Sequence, residues 1–142
     1  MPRITTRIIT LLALAALTLA ACAQPTPAGT SPVGNWQLAT LNGQPPVADS
    51  SVTLTLATDG TASGNSGCNQ YSGEYTFDPA SNTLTTFPLA STLIACADDA
   101  VNAQKSTYLA AISATPFTVS VTAGQLTLTN AADDTLTFTA IP

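Results

Sequence analysis

Apolar and polar side chains alternate with a period of two along most of the chain after residue 36, as in half-buried β-strands. In the segment SVTLTL, at 51–56, valine and leucine occupy one face and serine and threonine the other. The segments 116–121, 125–130 and 134–140 repeat this pattern at hairpin-length separations, which predicts an antiparallel meander. Further strands are predicted at 36–41, 73–77, 83–87 and 91–95.

One segment near the C-terminal third has helical rather than alternating spacing. It begins at Asp98 and Asp99, which suit a helix N-terminus, and it stops before Pro116. The apolar residues that share one side of it are Val101, Tyr108, Leu109 and Ile112. The sequence therefore predicts a mainly β, β-rich α+β domain, in which a curled or barrel-like antiparallel sheet packs against one α-helix at about 99–113.

The first 22 residues have the form of a secretory signal, with Arg3 and Arg7 followed by an apolar run at 8–19. The sequence Leu-Ala-Ala-Cys at 19–22 resembles the bacterial lipobox, which implies cleavage after residue 21 and lipidation of Cys22. An ordinary signal peptide with an incidental cysteine is the alternative. The predicted organisation is a lipoprotein signal peptide at 1–21, a lipidated Pro/Thr-rich tether at 22–33 and one domain at 34–142.

This organisation predicts an extracytoplasmic protein of the bacterial cell envelope, bound to the membrane through Cys22. Lipid chains give stable anchoring because each buried methylene contributes roughly 0.8 kcal/mol. Ala23 follows the cysteine, so the aspartate that resembles an inner-membrane retention signal is absent. The outer membrane is therefore expected in a two-membrane bacterium, and the cell surface otherwise.

Charge and composition exclude several kinds of function. Beyond the signal peptide, the sequence contains eight acidic side chains and one basic side chain, Lys105. The domain should therefore repel nucleic acid. The sequence has no histidine, and so it lacks the usual general base and the usual metal ligand. We therefore expect no enzyme activity, no metal and no cofactor.

Four segments together resemble the META domain family, of the kind found in the heat-shock protein HslJ. They are GNWQLATLNGQP at 34–45, SGNSGCNQYSGEYTFD at 63–78, ASTLIAC at 90–96 and YLAAI at 108–112. The resemblance implies a small β-rich domain with one helix, common on bacterial lipoproteins, and a role in the envelope stress response. Two positions depart from the family pattern: Leu93 replaces a basic residue, and Gln104-Lys105 replace a glutamate.

Cys68 and Cys96 are the two thiols that remain once Cys22 is lipidated. A nucleophilic thiolate would need a base or a cation nearby, and a zinc site would need more ligands. In a compartment that permits disulfides, the favoured interpretation is a Cys68–Cys96 cross-link. A reduced, buried pair is the alternative.

Asn69 and Tyr71, close to Cys68, are the candidate binding residues, although a turn hydrogen bond and core packing would also explain them. The leading hypothesis is a monomeric, non-enzymatic protein that acts by binding in envelope maintenance. A carrier of a small hydrophobic ligand is one alternative, and it predicts an internal cavity of a few hundred Å3. A protein-protein or protease-inhibitor-like module is another, and it predicts a rigid exposed loop or an apolar surface patch.

Overall fold

The structure is a computed structural model that describes residues 31–142. The predicted signal peptide, Cys22 and most of the tether lie outside the described residues. The strands are β1 (Gly34–Leu41), β2 (Ser51–Leu56), β3 (Thr61–Gly67), β4 (Gln70–Asp78), β5 (Thr83–Thr86), β6 (Ala90–Ser91), β7 (Phe117–Thr122), β8 (Gln125–Asn130) and β9 (Thr135–Ala140). The helix α1 spans Asp99–Ser113, between β6 and β7.

Eight of these strands form a closed antiparallel barrel. Their order is β3-β2-β1-β9-β8-β7-β5-β4, and β3 also pairs with β4, which completes the ring. Among residues 31–142, the short strand β6 pairs only with β4. The predicted fold class, a barrel-like antiparallel sheet with one packed helix, is confirmed.

Inward-facing apolar side chains fill the barrel, as is usual for eight strands. The fully buried ones contributed by the strands include Val52, Leu54, Leu56, Leu84, Phe117, Leu126, Leu128, Leu136 and Phe138. The helix adds Tyr108, Ala111 and Ile112 to the same core. Along each strand these apolar residues alternate with outward-facing threonines. The alternation in the sequence therefore corresponds to the inner and outer faces of the barrel wall.

The helix has the bounds that its sequence predicts, and its start is capped. The Asp98 carboxylate accepts hydrogen bonds from the main-chain N–H groups of Ala100, at 2.6 Å, and Val101, at 3.3 Å. These bonds satisfy two of the N–H groups that a helix leaves unpaired at its N-terminus. The helix is too short and too polar to cross a membrane, and it is the one helix among residues 31–142.

Two segments differ from the prediction. Residues 63–67 belong to strand β3, although their serine, glycine and asparagine side chains favour turns. Pairing with β2 on one side and β4 on the other outweighs that weak propensity. The predicted strand at 91–95 is wrong beyond Ser91: the Thr92 N–H still bonds to the main chain of β4, but at Ile94 the Asn69 side chain rather than a neighbouring strand takes both main-chain hydrogen bonds.

A pair of buried tyrosines links the helix to the barrel. The Tyr71 hydroxyl donates to the main-chain oxygen of Thr53 at 2.8 Å and lies 2.7 Å from the Tyr108 hydroxyl, which therefore donates to it. The two rings are tilted at 54° with their centroids 5.8 Å apart. Burial raises the pKa of both hydroxyls above the ordinary value.

This pair should make the protein sensitive to alkali. Below about pH 10 both tyrosines are neutral in the folded and unfolded states, and above it only the unfolded state ionises readily. The free energy of unfolding should therefore fall above pH ~10, by up to ~1.4 kcal/mol per pH unit for each buried tyrosine. Urea unfolding at pH 8 to 11 measures this slope. A Tyr108→Phe variant should show a shallower slope, and an identical slope would contradict the assignment.

Candidate functional site

The most exposed large apolar side chains among residues 31–142 are adjacent in the sequence. Leu93 is 97% exposed and Ile94 is 59% exposed. They lie between β6 and α1 in a segment, residues 92–95, that we name the Leu93 loop. A single exposed leucine is common on protein surfaces. Two neighbouring exposed apolar side chains on a segment that the core holds in place are less common, and they indicate a candidate interaction site.

The side chain of Asn69 holds the loop on both sides of Leu93. Asn69 is 1% exposed, and its Nδ2 donates to the main-chain oxygen of Ile94 at 2.9 Å. Its Oδ1 accepts from the Ile94 N–H at 2.8 Å and from the Thr92 hydroxyl at 2.9 Å. A buried amide with every polar atom bonded is costly to move, so it fixes the loop.

Further bonds hold the two ends of the loop. On the β6 side, the Thr92 N–H donates to the Gln70 main-chain oxygen at 3.0 Å, and the Gln70 N–H donates to the Thr92 hydroxyl at 3.2 Å. On the helix side, Asn102 accepts from the Cys96 N–H at 3.1 Å and donates to the Cys96 oxygen at 2.9 Å. The loop is therefore anchored to β4 at one end and to α1 at the other.

Cys68 and Cys96 lie at disulfide distance, with their Cα atoms 5.7 Å apart. Cys68 sits in the turn between β3 and β4, and Cys96 follows the Leu93 loop. The predicted pairing is thus supported by the geometry. A cross-link here would attach the helix side of the loop to the same turn that carries Asn69. No group of three or more histidine, cysteine or acidic side chains within residues 31–142 is arranged to hold a metal ion.

Lys105 places a positive charge beside the loop. Its ammonium donates to the Ile94 main-chain oxygen at 3.4 Å and to the Asn102 Oδ1 at 3.1 Å, so it lies at the edge of the apolar stripe of α1. Between the loop and the helix lies an open cleft of about 340 Å3. The side chains that line this cleft with Lys105 include Leu93, Ile94, Ala95 and Leu109.

A second open concavity, of about 690 Å3, adjoins the β6 side of the loop. Its lining is uncharged and rich in hydroxyl and amide groups. The residues that line it are Thr53, Ser63, Gly64, Asn65, Gln70, Tyr71, Ser72, Ala90, Ser91 and Thr92. The Leu93 loop is therefore flanked by an apolar cleft on one side and a neutral polar surface on the other.

The structure places the two predicted binding residues, Asn69 and Tyr71, in the interior. The polar atoms of the Asn69 side chain are hydrogen-bonded to the Leu93 loop. Tyr71 is 3% exposed, and its hydroxyl is hydrogen-bonded to Thr53 and Tyr108. Their contacts within residues 31–142 are those of positioning and packing residues. Sequence reasoning missed Leu93 as a site residue, although two adjacent apolar residues that break the alternation just before a cysteine are a usable signal.

Comparisons with known proteins agree with this fold. A profile of the META domain matches residues 30–141. A protein solved by NMR is similar over 75% of this chain and 88% of its own, with 30% identity and a TM-score of 0.61. An NMR structure from Burkholderia xenovorans is also 30% identical, over 76% of this chain and 81% of its own, with a TM-score of 0.60.

A crystal structure of a DUF4847 family protein from Bacteroides vulgatus shares the fold alone, with 16% identity, a TM-score of 0.50 and coverage of 80% of this chain and 92% of its own. The comparison with curated proteins found no match. The profile match covers the whole barrel and its helix. This chain therefore belongs to the META domain family.

Proposed function

We propose that this protein is a non-enzymatic lipoprotein of the bacterial cell envelope that binds another protein through the Leu93 loop. Its role would be envelope maintenance under stress, as the HslJ-like resemblance suggests. The observation that carries the proposal is that Leu93 is 97% exposed although the residues on both sides of it are held by the core.

A rigid loop with one protruding aliphatic side chain suits protein binding. Ordering a flexible loop on association costs free energy, and a loop already fixed in its bound form avoids that cost. Buried Asn69 and the Cys68–Cys96 pair supply this rigidity before any partner arrives. A few well-placed side chains contribute most of the affinity in many interfaces, and Leu93 is positioned to be such a side chain.

The titratable groups favour binding over catalysis. Burial raises the pKa of Tyr71 and Tyr108, so both hydroxyls stay neutral near pH 7 and have no proton-accepting role. The carboxyl groups whose pKa is lowered, Asp59, Asp78 and Asp134, accept hydrogen bonds from residues in turns or at the ends of strands. Acids that are ionised and bonded within turns are poor candidates for general acids.

The Leu93 loop and the start of β1 lie at opposite ends of the barrel wall. Gly34, which follows the tether, pairs with Leu56 at one end of β2, whereas Ser51 at the other end pairs with Gly67, next to the turn that holds the loop. Five residue steps of a strand correspond to about 17 Å. A lipid on Cys22 would therefore attach the protein through the end of the barrel opposite the Leu93 loop.

The alternative of a carrier for a small hydrophobic ligand is less well supported. The inward positions of the barrel are occupied by packed leucine, phenylalanine and tyrosine side chains. The concavities beside the loop are open to solvent and lie outside this core. Surface binding accounts for both observations.

Site-specific photo-crosslinking in intact cells tests the proposed binding role. A photoreactive residue at the exposed position Ala95 should give a discrete protein adduct, and the additional substitution Leu93→Asp should abolish it. The same photoreactive residue at Ser120, exposed on β7, serves as the control and should give no such adduct. Adducts that are unchanged by Leu93→Asp would contradict the proposal. A Cys22→Ser variant should no longer be found in the membrane fraction after cell fractionation, and this result tests the lipid anchor separately.

A further inference from the structure

The main chain of Leu93 differs from that of its neighbours. Within residues 31–142, neither its N–H nor its C=O has a hydrogen-bond partner, whereas the N–H groups of Thr92 and Ile94 are bonded to Gln70 and Asn69. The neighbours of Leu93 thus bond to β4 and to the Asn69 side chain, on the barrel side of the loop. The main-chain groups of Leu93 take part in none of these bonds.

The strand that leads into the loop is open on that same side. β6 pairs with β4 and with no other strand among the described residues. The edge of β6 therefore continues into the Leu93 loop, where the N–H donor and C=O acceptor of Leu93 have no partner within residues 31–142. A second extended chain can pair with such an edge, the main-chain bonds giving affinity and a pocket for the side chain giving specificity.

We propose that the partner is an endopeptidase, and that the Leu93 loop occupies its substrate cleft. This inference rests on the proposed binding role and names the class of protein bound. In this arrangement the Leu93 side chain fills the pocket that selects the residue before the cleaved bond. The Leu93–Ile94 peptide bond is then the one presented to the catalytic nucleophile.

The contacts of Ile94 make the loop an inhibitor rather than a substrate. Cleavage joins the nucleophile to the Leu93 carbonyl carbon, breaks the bond to the Ile94 nitrogen and transfers a proton to that nitrogen. The new amine remains 2.8 Å from Asn69 Oδ1, and the Ile94 oxygen remains bonded to Asn69 Nδ2. An amine held in place attacks the acyl-enzyme more readily than water does, so the reverse reaction restores the peptide bond.

A bilayer surface fits the loop less well than a protein does. Beyond the signal peptide the chain has eight carboxylates and one ammonium, so anionic lipid headgroups should repel it. The exposed N–H and C=O of Leu93 would also lose their hydrogen bonds to water inside lipid without gaining new ones. A peptide-binding cleft satisfies both groups and also accepts the aliphatic side chain.

Inhibition assays on the detergent-solubilised full-length protein test this inference. The probes are a serine endopeptidase that selects bulky apolar residues and a trypsin-type enzyme that selects lysine and arginine, each assayed with a small peptide substrate. The protein should competitively inhibit the first and not the second. Leu93→Asp should weaken inhibition at least ~30-fold. Leu93→Arg should transfer inhibition to the trypsin-type enzyme.

Two further variants separate the loop's role from general effects on the fold. Phe87→Asp changes another exposed apolar residue, 45% exposed and outside the loop, and should leave inhibition unchanged. Asn69→Ala should turn the inhibitor into a substrate, with faster cleavage between Leu93 and Ile94 detected by mass spectrometry.

Absence of inhibition of the apolar-selective enzyme would overturn the inference, as would rapid cleavage of the unsubstituted protein at Leu93–Ile94. Light scattering that shows a dimer dissociated by Leu93→Asp would overturn it too, in favour of a second copy of this chain as the occupant. A discrete adduct from Ala95 without any inhibition would overturn the peptidase assignment and leave the proposed binding role standing. If neither an adduct nor inhibition were observed, the proposed binding role and the peptidase assignment would both be overturned.

Discussion

Replacement of both Cys68 and Cys96 with alanine is expected to lower the free energy of unfolding by roughly 3–4 kcal/mol. The two residues are separated by 28 positions, and an intact cross-link removes the conformational freedom of that loop from the unfolded chain. This is a large part of the total stability of a small domain, about 5–15 kcal/mol. Urea unfolding of the oxidised protein measures the effect, and reduction of the unsubstituted protein should reproduce it.

The control for this experiment is Cys22→Ala, which changes a cysteine that precedes the barrel strands in the sequence and should leave the unfolding midpoint unchanged. Peptide mapping without reductant should recover residues 68 and 96 in one linked pair. Two freely alkylating thiols, together with an unfolding midpoint unaffected by the double substitution, would show that the pair is not cross-linked in the native protein.

The Asn69→Ala substitution is expected to cost about 2–3 kcal/mol, because it removes three side-chain hydrogen bonds and leaves the Ile94 N–H without its partner at a partly buried site. The Leu93 loop should become mobile as a result. Chemical unfolding measures the first effect. Amide hydrogen exchange measures the second, as faster exchange at Ile94.

Gln70→Ala is the matched control, since it shortens an adjacent exposed amide side chain and should change the stability by less than ~0.5 kcal/mol. If the two variants were equally stable and Ile94 exchanged at the same rate in both, Asn69 would not be what holds the loop.

The regular elements could be predicted because local sequence determines them. Alternating residues such as those of β2 must place one face in a core, and the helix at 99–113 has its own capping aspartate and a proline just beyond its end. The last three strands follow one another through short turns, so their pairing is also local. These features needed no knowledge of the rest of the chain.

The barrel closure and the Leu93 loop could not be predicted in this way. Closure depends on β3, whose residues have weak strand propensity and become a strand only between two partners. The loop depends on Asn69, whose side chain replaces a strand partner for residues 25 positions further along the chain. Sequence reasoning identified Asn69 as a turn residue or a ligand contact, because neither role requires such a distant partner.

The two departures from the family pattern have different consequences. Leu93, in place of a basic residue, lies at the exposed tip of the loop, so it changes what the loop offers to a partner and leaves the core intact. Gln104 instead joins α1 to the segment before β2, as its amide oxygen accepts from the Val47 N–H and its amide nitrogen donates to the Ser50 hydroxyl at 2.9 Å. An ionised glutamate has no donor for the second bond.

The closed ring of strands also limits one route by which copies of this protein could associate. Only 8% of its residues are charged, and strands rich in threonine and leucine would readily add to one another if their edges were free. Each of the eight barrel strands has a neighbour on both sides, so its main-chain groups are not offered to another molecule. Edge-to-edge addition of barrel strands is thus blocked by the completed hydrogen-bond network of the wall rather than by electrostatic repulsion.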